Sequence, residues 1–561
     1  MKDNSDILNI SNSFINDKPT NQLKQLTDVF NKFVIPFYEV WWNKGKVKLN
    51  DNELNDLNHY IDSLTFDKLN SNYLWLPEFL KKIAKSVKFN SKNFINIHPI
   101  PFIPAMLADL TVAVQNPNNI VPEVSEATWE MEEEIIAWIS EKLIGYDQEK
   151  SWGHIISGGT IGNMTALLVA RDYTYHKLSR PKNEEVGSKG VIGRKSGVVM
   201  ASAGSHYSLR KSLWFLGMGS ENLIQIPVAW DEAVEIKSKM DSKFLAGIRN
   251  YEWGDRIEDL QKKEKEKGEI EKFYSSEQFP FELQPLDSLI LQYLYSCFQF
   301  DIPLISYVST FGTTFTGTIE RINSTSLDIL KREDIHIHID AAWGGFALAN
   351  NEIKLINSVI HEADSIVIDG HKLGFMAYPS STLIFRDKNS KYQIEHDAPY
   401  IENLALTLEG SRPGRNIAAL WSSIKCLGQN GYSELVMRTV ENTKHLTNLL
   451  IETNKFQILH KIDLNCVAFA PLPLNNETRT ELNQLCRRMK QLVNSSNDFL
   501  INYEDSLSQI KVKNEPGKTY KLDNLVNIEA VRVVICNPFV DIKDLSLLVN
   551  CLVASLNNAR K

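Results

Sequence analysis

Between residues 150 and 390, short β-rich runs alternate with helix-like segments, and this alternation limits the fold more than any other feature of the chain. The runs are "GVVMAS" (197–202), "LISYVST" (304–310), "IHIHID" (335–340), "SIVID" (365–369) and "STLIF" (381–385). Their β-branched residues suit a pleated, buried surface. Strands that alternate with helices pack as a largely parallel sheet covered by helices, so this stretch predicts an α/β domain. In open sheets of this kind ligands sit beyond the carboxyl ends of the strands. The residues that end each run are therefore the first candidates for chemistry.

The rest of the chain divides around this region. A length of 561 residues exceeds what one core usually organises. Residues 1–20 are polar and read as a disordered tail; 21–115 read as an N-terminal helical segment, 116–425 as a large α/β domain, and 426–561 as a smaller α+β domain. In "ATWEMEEEIIAWISEKLIGYD", Met131, Ile135, Ile136 and Ile139 recur at helical spacing. The abundant aromatics Trp41, Trp42, Trp75 and Phe102 read as core. The charge run at 261–272 reads as a solvated surface. A net charge of −8 weighs against a nucleic-acid partner. No apolar run reaches about 18 residues, so no membrane span is expected. The polar, acidic start lacks the pattern of a secretory signal. Six scattered cysteines point to a reduced, cytoplasmic protein.

Four constellations carry chemistry. In "GHIISGGTIGNMTALLVARD" (153–172) an apolar run ends at Ser157-Gly158-Gly159-Thr160 and a helix opens. Glycines there let backbone N–H groups approach an anion, which the helix dipole also favours. A plain tight turn fits the glycines as well. In "IHIHIDAAWGG", His336, His338 and Asp340 share one strand face by the period of two. They fit a metal-ligand set, two packed histidines, or an aspartate at a strand end that pairs with a cationic ring nitrogen. "MASAGSHYSLRKSLWFLG" brings His206 and Ser208 to another strand–helix junction. "SIVIDGHKLGF" ends a buried-looking strand in Asp369, His371 and Lys372, which is either a solvated strand end or a reactive amine. An anion cradle, a carboxylate for a heterocyclic nitrogen and a lysine amine are the three contacts that pyridoxal phosphate requires.

Eight motifs then follow one order over roughly residues 80–550: "PAMLADL", the Ser-Gly-Gly-Thr turn, "HYS" followed by Lys211, "STFGTT", "HIDAAWGG", "DGHK", "GSRPG" and "VRVVICNP". In these the chain resembles the group II pyridoxal-phosphate-dependent amino acid decarboxylases. "MEEEI", "SWGHI" and "SHYS" make it most similar to the bacterial tyrosine decarboxylases. The resemblance implies a fold-type I enzyme with a mixed, mostly parallel central sheet and a smaller C-terminal domain. It implies a homodimer with shared active sites, in which the N-terminal helices help form the dimer. The implied reaction converts an L-amino acid, aromatic such as tyrosine, to its amine and CO2. Decarboxylation of an acidic amino acid is an alternative. So is retro-aldol cleavage of the sphingosine-phosphate lyase type, which "GSRPG" and "GQNGY" also resemble. A metallohydrolase built on the H-x-H-x-D strand is the alternative of a different class.

Carried over by residue, the resemblance makes Lys372 the covalent anchor of the coenzyme and Asp340 the partner of its ring nitrogen. His206 would stack on the ring and assist at Cα. Gly158, Gly159 and Thr160 would hold the phosphate, Thr314 and Ala342 the ring, and Asp369 and His371 would flank the lysine. His98 and Arg532 would meet the substrate, and Tyr400 would donate a proton from a loop. Arg415 and Val533 depart from the family pattern, which leaves the substrate side chain open.

Overall fold

The five predicted runs lie in one sheet of seven strands. The computed structural model describes residues 20–64, 73–88, 92–95, 97–178, 197–202, 204–226, 290, 294, 297, 302–322, 324–357, 359–394, 407–474, 477–507 and 528–561. Residues 1–19 of the expected tail, the charge run at 261–272 and Tyr400 lie outside the described residues, while Thr20 already begins a helix. The strands are β1 (Trp152–Ile156), β2 (Val198–Ser202), β3 (Leu223–Ile226), β4 (Leu304–Thr310), β5 (His336–Asp340), β6 (Ser365–Asp369) and β7 (Ser381–Phe385). They are ordered β1-β7-β6-β5-β4-β2-β3. β7 runs antiparallel to both neighbours, while β6, β5, β4, β2 and β3 pair in parallel. Every residue of β4 to β7 is buried, as strands covered on both faces require.

The register fixes the site. Thr310 of β4 pairs with Asp340 of β5, and Asp340 pairs with Val367 of β6. The carboxyl ends of three adjacent strands therefore open onto one place. The Gly159–Leu178 helix packs across this sheet end because Gly162 lacks a side chain. A Cβ there would lie 2.4 Å from Val367 Cγ2 and 2.9 Å from Ile156 Cδ1.

Two motif residues serve architecture. Glu132 and Arg412 form a buried ion pair. Glu132 also accepts from Ile155 N at 2.6 Å and from Asn119 Nδ2 at 2.7 Å, while Arg412 donates to Ile155 O at 3.0 Å and Asn119 O at 2.8 Å. Removing two charges from water is costly, and these additional bonds offset that cost. They also tie the Pro122–Trp138 helix and the start of the Gly414–Glu452 helix to β1.

A second, antiparallel sheet is built of β8 (Phe456–Ile458), β9 (Cys466–Pro471), β10 (Asn502–Leu507) and β11 (Ile528–Val534), ordered β10-β11-β9-β8. Val467, Phe469, Val531 and Val533 pack there with Leu548 and Leu552 of the closing Ile542–Ala559 helix. The Gly414–Glu452 helix runs across residue 426 and is broken at Gly428, whose φ is 56°.

The N-terminal region forms helices Thr20–Val29, Ile35–Asn43, Asp51–Ser63 and Leu76–Ala84. Asn50 and Glu53 make a reciprocal capping box at the third of these. Trp41 is buried against Phe37, as expected. Trp42 and Trp75 are not core: they are 46% and 55% exposed on a face that nothing among the described residues covers. Phe102 is half-buried. Among the described residues no helix is long and apolar enough to cross a membrane.

Gly162→Ala should lower stability by about 1–3 kcal/mol through overpacking against β6. Gly158→Ala, where nothing lies within 4 Å of the added Cβ, should leave the urea midpoint of the coenzyme-free protein unchanged. Equal midpoints for the two variants would contradict this packing.

Candidate active site

At the joined ends of β4, β5 and β6 lies a cavity of about 310 Å³. Gly158, Gly159, Thr160, His206, Thr314, Asp340, Ala342, Asp369, His371 and Lys372 all line it, so every residue expected to contact the coenzyme meets there. Ser157, Ile161, Asn163, Thr310, Gly312, Trp343 and Tyr378 complete the wall.

Lys372 follows β6 by one turn, and its Nζ lies 3.1 Å from Asp369 Oδ2. Asp369 is buried; its Oδ1 accepts from Ser381 Oγ at 2.6 Å, and His371 Nε2 stands 3.3 Å from Oδ2. Burial alone would raise the pKa of Asp369. The Lys372 ammonium, His371 and the Ser381 hydroxyl outweigh burial and bring it down to about 2. Asp369 is therefore a fixed anion beside the amine.

Asp340 is also buried, but its surroundings differ. Its Oδ2 accepts from Asn163 Nδ2 at 2.9 Å and its Oδ1 from Ala342 N at 3.2 Å. Both donors are neutral, and among the described residues no cationic side chain forms an ion pair with it. His206 lies nearby, with Nδ1 at 2.8 Å from Ser208 Oγ. Burial lowers the pKa of His206; the Asp340 charge opposes that shift and the Lys372 charge adds to it.

The H-x-H-x-D strand does not present a metal set. His336 Nε2 and His338 Nδ1 each lie 2.8 Å from Ser365 Oγ, and His338 Nε2 lies 2.9 Å from Asn163 Oδ1. Three of the four imidazole nitrogens are thus taken by neighbours on β6 and the helix.

The substrate candidates stand at the margin. The ring of His98 is 4.9 Å from that of Tyr378, whose own ring is 4.0 Å from His371. Tyr378 lines the cavity, so His98 reaches its rim through that ring. Arg532 does not line the cavity. Its guanidinium lies 5.6 Å from the centre of Trp343, a wall residue, and its buried Nε and Nη2 find no hydrogen-bond partner among the described residues.

Sequence reasoning missed Asn163, Thr310, Trp343 and Tyr378. Asn163 had a signal, since it lies four residues after Gly159 and so on the same helical face. Tyr378 had none, because the loop after Lys372 has no periodicity.

Residues 294–471 match the family described as "Pyridoxal-dependent decarboxylase conserved domain". The chain is 25% identical over 490 residues to aspartate 1-decarboxylase of Aliivibrio fischeri, covering 81% of this chain and 78% of that one. It is 25% identical over 354 residues to a probable L-tyrosine/L-aspartate decarboxylase of Methanothermobacter thermautotrophicus, covering 62% and 75%. The glutamate decarboxylase domain of a Vibrio parahaemolyticus protein superposes with a TM-score of 0.70 at 14% identity, over 98% of each chain.

Burial holds three imidazoles uncharged: His154 and His338 are pushed down to about 3, and His460 to about 4. The unfolded chain binds protons at these sites from about pH 6.5, whereas the folded chain does not. Between that pH and the folded values the unfolded state holds more protons, so stability falls as pH falls, by up to about 1.4 kcal/mol per pH unit per histidine. The urea midpoint of the coenzyme-free protein should therefore drop between pH 7 and pH 5, and His154→Phe should flatten that drop. A midpoint independent of pH across this range would refute the burial argument.

Proposed function

We propose that this cavity is an active site and that its substrate is an aromatic L-amino acid such as tyrosine, since residues 294–471 match the pyridoxal-dependent decarboxylase family. The enzyme is a pyridoxal-phosphate-dependent carboxy-lyase acting on an amino acid, built on the type I fold of such enzymes. One observation carries the assignment of the cavity. An amine held by a buried anion shares it with a second buried carboxylate that forms no ion pair among the described residues.

The residues fit the coenzyme. A Cβ at Gly159 would come within 3.0 Å of Ala342 Cβ and 3.1 Å of Asp369 Oδ1, so glycine lets the helix start close on the site, where a helix N-terminus favours a phosphate. Thr160 adds a hydroxyl. Asp340 would supply negative charge for a protonated ring nitrogen, Thr314 and Ala342 would border the ring, and Lys372 would supply the anchoring amine; all four line the cavity. When bound, the coenzyme provides a conjugated, cationic ring that takes up the electron pair freed at Cα.

The side chains then divide the work. Asp340 holds a proton at the ring nitrogen, since an ionised carboxylate favours the charged form of the group it faces. Asp369 orients the protons on Lys372 Nζ. His206, uncharged at neutral pH, commits Nδ1 to Ser208 and leaves Nε2 for contact near Cα. Arg532 is the candidate for the substrate carboxylate: it stands behind Trp343 rather than in the cavity lining, and its buried Nε and Nη2 have no hydrogen-bond partner among the described residues.

The aromatic preference rests on the tyrosine-decarboxylase motifs and on Trp343 and Tyr378 in the wall; the name of the Methanothermobacter relative, L-tyrosine/L-aspartate decarboxylase, accommodates either substrate. The aspartate 1-decarboxylase relative favours an acidic substrate as the second reading. We further assign the N-terminal helices to the seam of a homodimer. Trp42, Trp75, Phe79 and Leu110 surround an apolar cavity of about 970 Å³, and Tyr378 lines both this cavity and the active site.

Titrated with pyridoxal phosphate, the wild type should develop a visible absorbance band that Lys372→Ala lacks; equal spectra would remove Lys372 as the anchor. In a panel measuring CO2 release, tyrosine or another aromatic amino acid should exceed aspartate and glutamate, and the reverse order would establish the acidic reading. Light scattering should give twice the chain mass of 63.9 kDa, and Leu110→Asp should shift it toward the monomer.

A further inference from the structure

We infer that Asn163 and His338 form a positioning clamp, in which His338 fixes the orientation of the Asn163 amide so that its NH2 group faces Asp340. This rests on the reading of Asp340 as the partner of the ring nitrogen. The clamp gives the otherwise unused histidines of the H-x-H-x-D strand a task.

The directions of the hydrogen bonds follow from chemistry. Asn163 Nδ2 lies 2.9 Å from Asp340 Oδ2 and 2.9 Å from Ser208 Oγ, and a carboxylate can only accept, so the NH2 group lies on this side. Oδ1 then faces His338 Nε2 at 2.9 Å, and an amide oxygen cannot donate, so the proton is on Nε2. His338 Nδ1 must consequently accept from the Ser365 hydroxyl at 2.8 Å. The Ser365 oxygen in turn accepts from His336 Nε2–H at 2.8 Å. On the other side, Ser208 accepts from Asn163 and is free to donate to His206 Nδ1 at 2.8 Å, where the Ser208 N–H also points at 3.3 Å. One amide therefore sets both the Asp340 carboxylate and the His206 tautomer.

Each link is sealed from water: Asn163, Ser208, His338 and Ser365 are all at most 1% exposed. A rotated Asn163 would set its oxygen against the carboxylate and leave His338 Nε2–H facing an NH2 group, with no water to relieve either contact. The donors are also neutral. Burial keeps both imidazoles uncharged, so the chain orients Asp340 without cancelling its charge. An arginine at position 163 would hold the carboxylate as firmly but would neutralise it.

The test compares His338→Leu, which removes the donor, with His338→Gln, which restores a donor toward Asn163 and an acceptor toward Ser365. The readouts are affinity for pyridoxal phosphate, by titrating the coenzyme-free protein, and kcat and KM for the amino acid the wild type turns over fastest. For His338→Leu the coenzyme Kd should rise and kcat fall by about tenfold or more, with KM within about threefold: rotation of the unclamped amide forfeits the Asn163–Asp340 bond, and the loss of one such bond to a buried charge is of that size. His338→Gln should return both to within about threefold of wild type. If the two variants behave alike, or His338→Leu matches wild type while Asp340→Asn is impaired, the clamp is wrong. If Asp340→Asn keeps wild-type coenzyme affinity and kcat, the reading beneath the clamp fails instead. Nitrogen-15 spectra of the histidines in the wild type remain decisive if His338→Leu does not fold: a neutral His338 protonated at Nε2 is expected, and protonation at Nδ1 overturns the clamp.

Discussion

Two carboxylates end neighbouring strands of one buried sheet, and most of the site follows from how each is compensated. Asp340 and Asp369 are 5% and 2% exposed. A buried anion without compensation costs several kcal/mol, and two such anions on adjacent strands also repel. The protein answers the two differently. Asp369 has the Lys372 ammonium, His371 and the Ser381 hydroxyl, so its charge is met within the chain. Asp340 has an amide and a backbone N–H, which solvate the charge without balancing it. The imbalance leaves the cavity with one anion able to recruit a cationic ring.

The sheet topology makes this division possible. β7 runs against β6, so its first residue, Ser381, pairs with the last residue of β6, Asp369. A strand in the parallel direction would offer its last residue there, and the hydroxyl would be lost. β5, in contrast, is parallel to both neighbours. Its end carries Asp340 outward without a partner strand folding back over it. The helix that begins at Gly159 closes the remaining side, and the absence of a Cβ at Gly162 lets it come near enough for Asn163 to reach Asp340.

Much of this was legible in the sequence, for identifiable reasons. Apolar runs of β-branched residues gave the strands, and strand ends gave Asp340 and Lys372, because backbone periodicity is a local property. The H-x-H-x-D pattern stayed ambiguous because a period of two assigns a face but not the residue opposite. Only the pairing of His338 with Ser365 across β5 and β6 reveals that the imidazoles serve a hydroxyl and an amide. Trp42 and Trp75 were misread as core because hydrophobicity records a preference for burial without saying against what. Arg532 sat in a motif that resembles the family's, yet it lies against Trp343 outside the cavity lining, since position along a strand does not fix how a long side chain crosses a wall.

Fold and electrostatics here have one cause. Burial of β5 on both faces is what a parallel sheet demands, and the same burial holds His336 and His338 uncharged. Were either imidazole cationic, it would lie along the hydrogen-bonded chain to Asp340 and compete for its charge. A solvent-facing strand would allow that protonation near neutral pH, because an imidazole in water titrates at about 6.5. The covered sheet therefore preserves the anion as well as the position of Asp340, and an architecture that held the same side chains on an exposed sheet would reproduce the geometry but not the charge.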